Sequence, residues 1–322
     1  MRAIQIQQTG GPEVLTLVDL SIPTPGPGEV LVRIHASGIN FIDIYYREGR
    51  YKIALPFIDG QEAAGVVESI GPDVTGFAPG DPVAWCSILG TYAEYATVPA
   101  ERLVPVPKHL DLKLAAAVML QGMTAHYLAH STFHLKSGDT ALVHAAAGGV
   151  GLLLTQMASR IGARVIGTTS TEEKAALARA AGAADVILYT QSDFESETRR
   201  LTDGRGVDVV YDSVGKTTFE KSLNVLRPRG MMVLFGGSSG AVPPFDLIEL
   251  STKGSLFVTR PTLKHYTLSP EDLFVRAEAV LSAVDAGKLK VRMEHVYPLS
   301  DAGRAHIDIA SRKTTGKLLL IP

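Results

Sequence analysis

The chain has 322 residues, enough for about two domains. Hydrophobic residues make up 46% and charged residues 20%, and the formal net charge of −2 offers no basic excess for holding nucleic acid non-specifically. No apolar run reaches the ~18 residues that a membrane-spanning helix needs. The opening MRAIQIQQTGG lacks the apolar core of an export signal, so a cytoplasmic location is expected.

In chain order, a first strand and turn lead into short apolar runs at 30–40, 65–71, 81–85 and 92–98, separated by turn signals such as Pro25-Gly26-Pro27-Gly28. This reads as a compact, mostly-β unit. A long helix-forming stretch follows at 111–133, with Gly122 as a break in it. Near-continuous apolar strands then come at 140–144, 164–168, 185–189, 207–212, 231–237 and 255–260. Helical segments at 149–161, 172–181, 191–202 and 217–226 lie between the first five strands. Buried strands spaced by helices predict a parallel sheet covered on both faces, close to the six strands of a doubly wound dinucleotide fold. The tail reads as a helix (270–287), a strand (291–297), a helix (300–312) and a last strand, KLLLIP, folded back on the β-rich unit. The expected division is 1–122 with 261–322, and 123–260.

At 143–151 the chain reads VHAAAGGVG, where a strand runs into a small-residue loop and a helix. Small residues let backbone N–H groups approach a pyrophosphate at a helix N-terminus, where the helix dipole favours an anion. Gly148 and Gly151 fit the second and third positions of GxGxxG, while Ala146 stands at the first, tolerable if its φ is negative. At the end of the next strand, where an NAD enzyme places a carboxylate, stand Thr168, Thr169 and Ser170, with Lys174 one turn further on. Hydroxyls and a cation suit a 2′-phosphate. The cofactor expected is NADPH, with Glu172 or Glu173 intruding only if the register slips by a turn.

Several segments together resemble one family: NFIDIYYREGRY (40–51), GQEAAGVV (60–67), HAAAGGVG (144–151), VYDSVG (210–215), FGGSSG (235–240) and VTRP (258–261). They are similar to the zinc-free, zeta-crystallin-like quinone oxidoreductases of the medium-chain dehydrogenase/reductase superfamily. The resemblance implies a dinucleotide-binding unit plus a GroES-like catalytic unit with the active-site cleft between them. It also implies a homodimer formed through the edge strand near 255–259. By position it assigns Asn40, Tyr45, Tyr51 and Thr124 to the nicotinamide end, Gly148, Gly149 and Val150 to the pyrophosphate, and Lys174, Tyr189 and Arg312 to the 2′-phosphate, beside Thr169 and Ser170. Phe235, Gly236, Gly237 and Ser238, with Val258, Thr259 and Arg260, would border the nicotinamide and substrate.

No metal is expected. Where zinc-dependent members of the superfamily carry Gly-His-Glu, this chain has Gly60-Gln61-Glu62, and Gln is a poor zinc ligand. Cys86 is the only cysteine and reads as a small core residue beside Trp85. His126, His130 and His134 recur at helical spacing, but no carboxylate stands at the spacing a zincin needs, so they read as solvated helix histidines. Without a Lewis acid, the suitable substrates are quinones, or conjugated enones and alkenals, which spread incoming negative charge over a π system. The reaction expected is hydride or single-electron transfer from NADPH to a quinone, with Asn40, Tyr45 or Tyr51 orienting the substrate. An enone or alkenal reductase is the alternative, and an NADPH- and RNA-binding non-enzyme the distant one.

Overall fold

The computed structural model describes residues 1–322, which divide into two units: Met1–Met123 with Thr267–Pro322, and Thr124–Tyr266. The first unit takes its tail back at Thr267, six residues later than the expected 261. Its first part runs β1 (Arg2–Ile6), β2 (Thr16–Asp19), β3 (Glu29–Ile39), α1 (Phe41–Arg47), β4 (Phe57–Ile58), β5 (Glu62–Ile70), β6 (Pro82–Cys86), β7 (Tyr95–Pro99), β8 (Val104–Pro105) and most of α2 (Leu112–Tyr127). The second unit comprises β9 (Thr140–Val143), α3 (Gly149–Ile161), β10 (Arg164–Thr169), α4 (Glu172–Ala180), β11 (Asp185–Leu188), α5 (Phe194–Leu201), β12 (Val207–Asp212), α6 (Phe219–Asn224), β13 (Leu226–Leu234), α7 (Ile248–Thr252), β14 (Phe257–Thr259) and α8 (Leu263–Tyr266). The chain ends, back in the first unit, with α9 (Pro270–Asp285), β15 (Met293–Pro298), α10 (Ala302–Ala310) and β16 (Lys317–Ile321).

The second unit is a six-stranded sheet in the order β11-β10-β9-β12-β13-β14, every pairing parallel. Strand order reverses between β9 and β12, the crevice where doubly wound folds bind their ligands. All six residues of β12, VDVVYD, are buried, as a strand covered on both faces requires. One core links Leu142, Ile166, Val210 and Met232 to Phe194, Phe219 and Leu223.

In the first unit, β3 is the hub. It pairs antiparallel with β5, β7 and β16, and so ties the tail strand to the N-terminal sheet. Trp85, Val30, Val32 and Val98 pack one core, and Ile39, Ile44, Leu299 and Leu318 another.

Helix α2 differs from expectation at two points. Gly122 does not break it: a Cβ there would lie 2.6 Å from Val280 Cγ1 of α9, so the glycine serves close helix packing. The helix stops at Tyr127 and passes into a π-helical turn, Leu128–Thr132, before Phe133 turns extended. His126, His130 and His134 are therefore not on one helix. The His126 and His130 rings lie 4.6 Å apart, and His134 reaches back through Nδ1 to the His130 carbonyl at 3.0 Å.

Candidate active site

The loop between β9 and α3 is built from close approaches. Gly148 is the extended N-cap of α3 (φ −78°, ψ 173°), and no side chain caps this end. The first-turn N–H groups, including Gly149 and Val150, have no intrahelical carbonyl and remain as donors for an anion. A Cβ at Gly151 would overlap the Ala145 carbonyl and lie 2.8 Å from Ala146 Cα, so only glycine lets α3 start this close to the loop. The left-handed residue is Ala145 (φ 51°) rather than Ala146, so a methyl is tolerated at the first motif position. The Ala146 methyl fills space left by Gly167, whose own Cβ would come within 2.8 Å of it. His144 anchors the loop entry: Nδ1 meets Thr168 Oγ1 at 3.0 Å and Nε2 meets Ser222 Oγ at 2.9 Å. Burial holds its pKa below the usual range, which keeps the ring neutral.

Thr169, Ser170, Lys174 and Tyr189 gather at the C-terminal ends of β10 and β11. Thr169 pairs with Leu188, and the Tyr189 N–H donates to the Thr169 carbonyl at 3.1 Å. Thr171 caps α4 and accepts from the Lys174 N–H. Glu172 is drawn into an ion pair with Arg179, and Glu173 bonds the Thr171 hydroxyl, so each carboxylate has a local partner. Lys174 is half-buried, and desolvation lowers its pKa. Arg312 belongs to the other unit, left-handed (φ 58°) just after α10.

The loops after β12 and β13 lock together. Asp212, buried at the end of β12, accepts from the N–H groups of Val214 (2.6 Å) and Gly215 (3.0 Å) and from Thr218 Oγ1 (2.7 Å). Its carbonyl takes the Phe235 N–H at 2.9 Å, and Ser238 N–H reaches the Ser213 carbonyl at 3.1 Å. A Cβ on Gly236 would sit 2.8 Å from Ser213 Cα, so Phe235–Ser238 hugs its neighbour. Arg260, which follows Val258 and Thr259 of β14, ties this region to β13 by donating to the Leu234 carbonyl at 3.0 Å. Thr124 is buried on α2.

In the first unit, α1 and the turn after it gather aromatic rings. Tyr45 and Tyr51 meet edge to face with centroids 5.9 Å apart, Tyr46 lies 5.5 Å from Tyr51, and the Arg50 guanidinium stands 5.0 Å over the Tyr45 ring. Tyr45 is buried and Tyr51 is 40% exposed. Asn40 is different from what its sequence position suggests. Its Nδ2 donates to the Gly38 carbonyl (3.2 Å) and Glu62 Oε2 (2.9 Å), while Oδ1 accepts from Gln121 Nε2 (3.1 Å) and Lys317 Nζ (2.9 Å). An amide has two donors and two lone pairs, so the Asn40 side chain has no capacity left for a substrate carbonyl.

A second buried chain runs on from Asn40. Its N–H donates to Asp43 Oδ2 at 2.7 Å, and the Tyr92 hydroxyl donates to the same oxygen at 2.8 Å. Tyr92 Oη also meets His306 Nε2 at 3.1 Å, and Arg47 Nη1 meets His306 Nδ1 at 3.0 Å. Arginine can only donate, so Nδ1 accepts and Nε2 carries the proton. Burial pushes His306 down to about 3, which keeps it neutral. Burial pushes Asp43 up to about 7, against the hydrogen bonds it accepts, and its Oδ1 has no partner.

This geometry has close counterparts among known proteins. The alcohol dehydrogenase GroES-like domain family matches residues 26–108, and the zinc-binding dehydrogenase family matches residues 149–270. A quinone oxidoreductase of Pseudomonas aeruginosa is 46% identical across 100% of this chain and 99% of its own length. A 2-haloacrylate reductase of a Burkholderia species is 44% identical over 99% of this chain and 98% of its own. The crystal structure of Escherichia coli quinone oxidoreductase complexed with NADPH superimposes with a TM-score of 0.98 at 43% identity, covering 100% of both chains. The chain belongs to the quinone oxidoreductase family of the medium-chain dehydrogenase/reductase superfamily.

As a quinone oxidoreductase family member it carries a domain description that names zinc, yet its donor set does not fit that metal. Gln61 replaces a histidine, the Asn40 amide is fully engaged, and the Lys317 ammonium sits against the Glu62 carboxylate. Burial pushes the thiol of Cys86, the sole cysteine, up to about 12, so it has little thiolate to offer. Sequence reasoning had no means to find Glu62, Gln121, Lys317, Asp43, Tyr92 or His306 as one assembly. Lys317 and Glu62 are 255 residues apart, and only the GQE triplet drew attention to the neighbourhood.

The pH behaviour of Asp43 follows from its raised pKa. The folded state holds a proton there that the unfolded chain releases above its ordinary 3.8, so the stabilising contribution is full at low pH and is lost as pH rises towards about 7. His306 works in the opposite sense, contributing above its ordinary 6.5 and losing it as pH falls towards about 3. Comparing wild type with Asp43→Asn isolates the carboxyl. The thermal-midpoint advantage of wild type over Asp43→Asn should shrink between about pH 4 and pH 7, and a difference that stays flat would refute the assignment.

Proposed function

We propose that this protein is an NADPH-dependent quinone reductase that works without a metal. The observation that carries the reading is end-to-end similarity to quinone oxidoreductases, at 46% identity over 100% of this chain. The cofactor fits the residues present: glycine-permitted backbone donors at the start of α3, and hydroxyls with Lys174 at the ends of β10 and β11. Gly148, Gly149 and Val150 hold the pyrophosphate. Thr169, Ser170, Lys174 and Tyr189 hold the 2′-phosphate, where Glu172 and Glu173 are each turned to a local partner. When bound, NADPH supplies a hydride. Phe235–Ser238 and Val258–Arg260 border its nicotinamide, on loops stiffened by Asp212 and Arg260. Tyr45 and Tyr51 orient the quinone, and water supplies the proton that completes the hydroquinone. Most of the rate gain comes from positioning, since the accepting ring spreads its own charge.

A second reading, reduction of an activated alkene, is favoured by the relative called 2-haloacrylate reductase at 44% identity. Both share the cofactor site and differ in what Tyr45 and Tyr51 face.

Pairing of two copies through β14 fits the same reading. This strand ends the sheet, and Phe257 on it is 57% exposed, an uncovered apolar edge.

Three outcomes are expected. With a chelator present, the protein consumes NADPH when given 1,4-benzoquinone, faster than with 2-chloroacrylate; no oxidation above background would end the quinone reading, and the reverse preference would favour the alkene. Lys174→Ala raises KM for NADPH about tenfold or more and leaves NADH nearly unchanged, the loss expected of a charge-assisted phosphate contact; equal effects on the two cofactors in steady-state assays would remove Lys174 from the site. Phe257→Lys sediments as a monomer where wild type sediments as a dimer, and an unchanged sedimentation coefficient would displace the interface from β14.

A further inference from the structure

We propose that Lys317 and Glu62 form a buried charged clamp that positions α1, and Tyr45 on it, for reaction. Lys317 and Glu62 are thus positioning residues of the active site. This rests on the reading above that Tyr45 orients the substrate.

The pair is almost wholly removed from water, with Lys317 1% and Glu62 0% exposed. A buried ion pair is poor evidence for a stability device, because its desolvation cost commonly matches its attraction. Its bonds here point to another use. Lys317 Nζ donates to Glu62 and to Asn40 Oδ1. Glu62 Oε2 also accepts from Asn40 Nδ2, and Oε1 accepts the Leu120 N–H at 2.6 Å. An ammonium only donates and a carboxylate only accepts. Together they admit one orientation of the Asn40 amide, oxygen towards Lys317 and nitrogen towards Glu62. The Asn40 backbone is held too, by the Asp43 carboxyl on its N–H and the Asp43 N–H on its carbonyl at 3.1 Å. Asn40 is the residue at which α1 begins, and Tyr45 lies in that helix.

The site is built for the pair. Gly38 on β3 lacks the Cβ that would overlap Glu62 Oε2 and stand 2.7 Å from Lys317 Nζ. β3, β5, α2 and β16 each contribute one member: Gly38, Glu62, Gln121 and Lys317. A displaced α1 N-terminus would shift the Tyr45 ring, whereas the cofactor residues of α3 and α4 belong to the other unit.

The test compares Glu62→Gln/Lys317→Met, which removes both charges at similar volume, with Gly38→Ala, which displaces the pair, and with Tyr45→Leu. For each, thermal midpoint, NADPH affinity by fluorescence titration, and kcat and KM for 1,4-benzoquinone are measured. The expected result for the charge-free variant is folding, NADPH affinity within about threefold, and a kcat lowered about tenfold to a hundredfold, the scale of a small misplacement. Combined with Tyr45→Leu it should add little, because both act through one group. A charge-free variant with wild-type kcat overturns the proposal, and so do losses that multiply in full with those of Tyr45→Leu. If the charge-free variant does not fold, Gly38→Ala decides: lowered kcat with retained NADPH affinity supports the clamp, whereas unchanged kcat or failure to fold makes the pair a folding element only. Wild-type kcat in Tyr45→Leu would instead sink the underlying reading of Tyr45, whatever the clamp variants do.

Discussion

Taking a charge out of water is costly unless it is paired and hydrogen-bonded, and this constraint organises the first unit around Lys317 and Glu62. Lys317 comes from the last strand, Glu62 from β5, and the Asn40 amide between them from the start of α1. Meeting those two groups brings the tail against β3, sets the α2 backbone at Leu120 and leaves the Asn40 side chain saturated. The adjoining chain from Arg47 through His306 and Tyr92 to Asp43 obeys the same rule, except that Asp43 Oδ1 is unpartnered, and burial pushes that carboxyl up to about 7.

The second unit solves a different problem, bringing stretches of backbone close to one another. There the decisive groups are absences of side chain: Gly151 under the Ala145 carbonyl, Gly167 facing the Ala146 methyl, and Gly236 against Ser213. Polar side chains stay behind the loops as braces. His144 bridges Thr168 and Ser222, and Asp212 gathers the turn that follows β12. A cofactor site of this kind needs no reacting side chain, because the dinucleotide brings the reducing equivalent and the protein supplies place and orientation.

These two designs account for a reductase that takes conjugated acceptors. Where a zinc-dependent relative would polarise a substrate oxygen, this chain has amides and an internally neutralised ion pair, so the substrate must stabilise its own developing charge. Tyr45 and Tyr51 pack edge to face beside Arg50 in the same unit.

The sequence by itself determined the alternation of strands and helices in the second unit, because buried strands and helix starts leave local marks in apolar runs and glycines. The small-residue turn into α3, the hydroxyls ahead of Lys174 and the Gln61 of the GQE triplet could be picked out for the same reason: each lies within a short stretch of chain. The end of α2 was not, since the π-helical turn at Leu128–Thr132 and the packing of Gly122 on Val280 are set by neighbours rather than by propensity. Nor was the true position of Asn40, read as a substrate contact and found wholly committed inside the protein. Only tertiary structure could decide that, because its partners Glu62, Gln121 and Lys317 come from three separate elements, and the energy of a buried charge depends on what surrounds it in space.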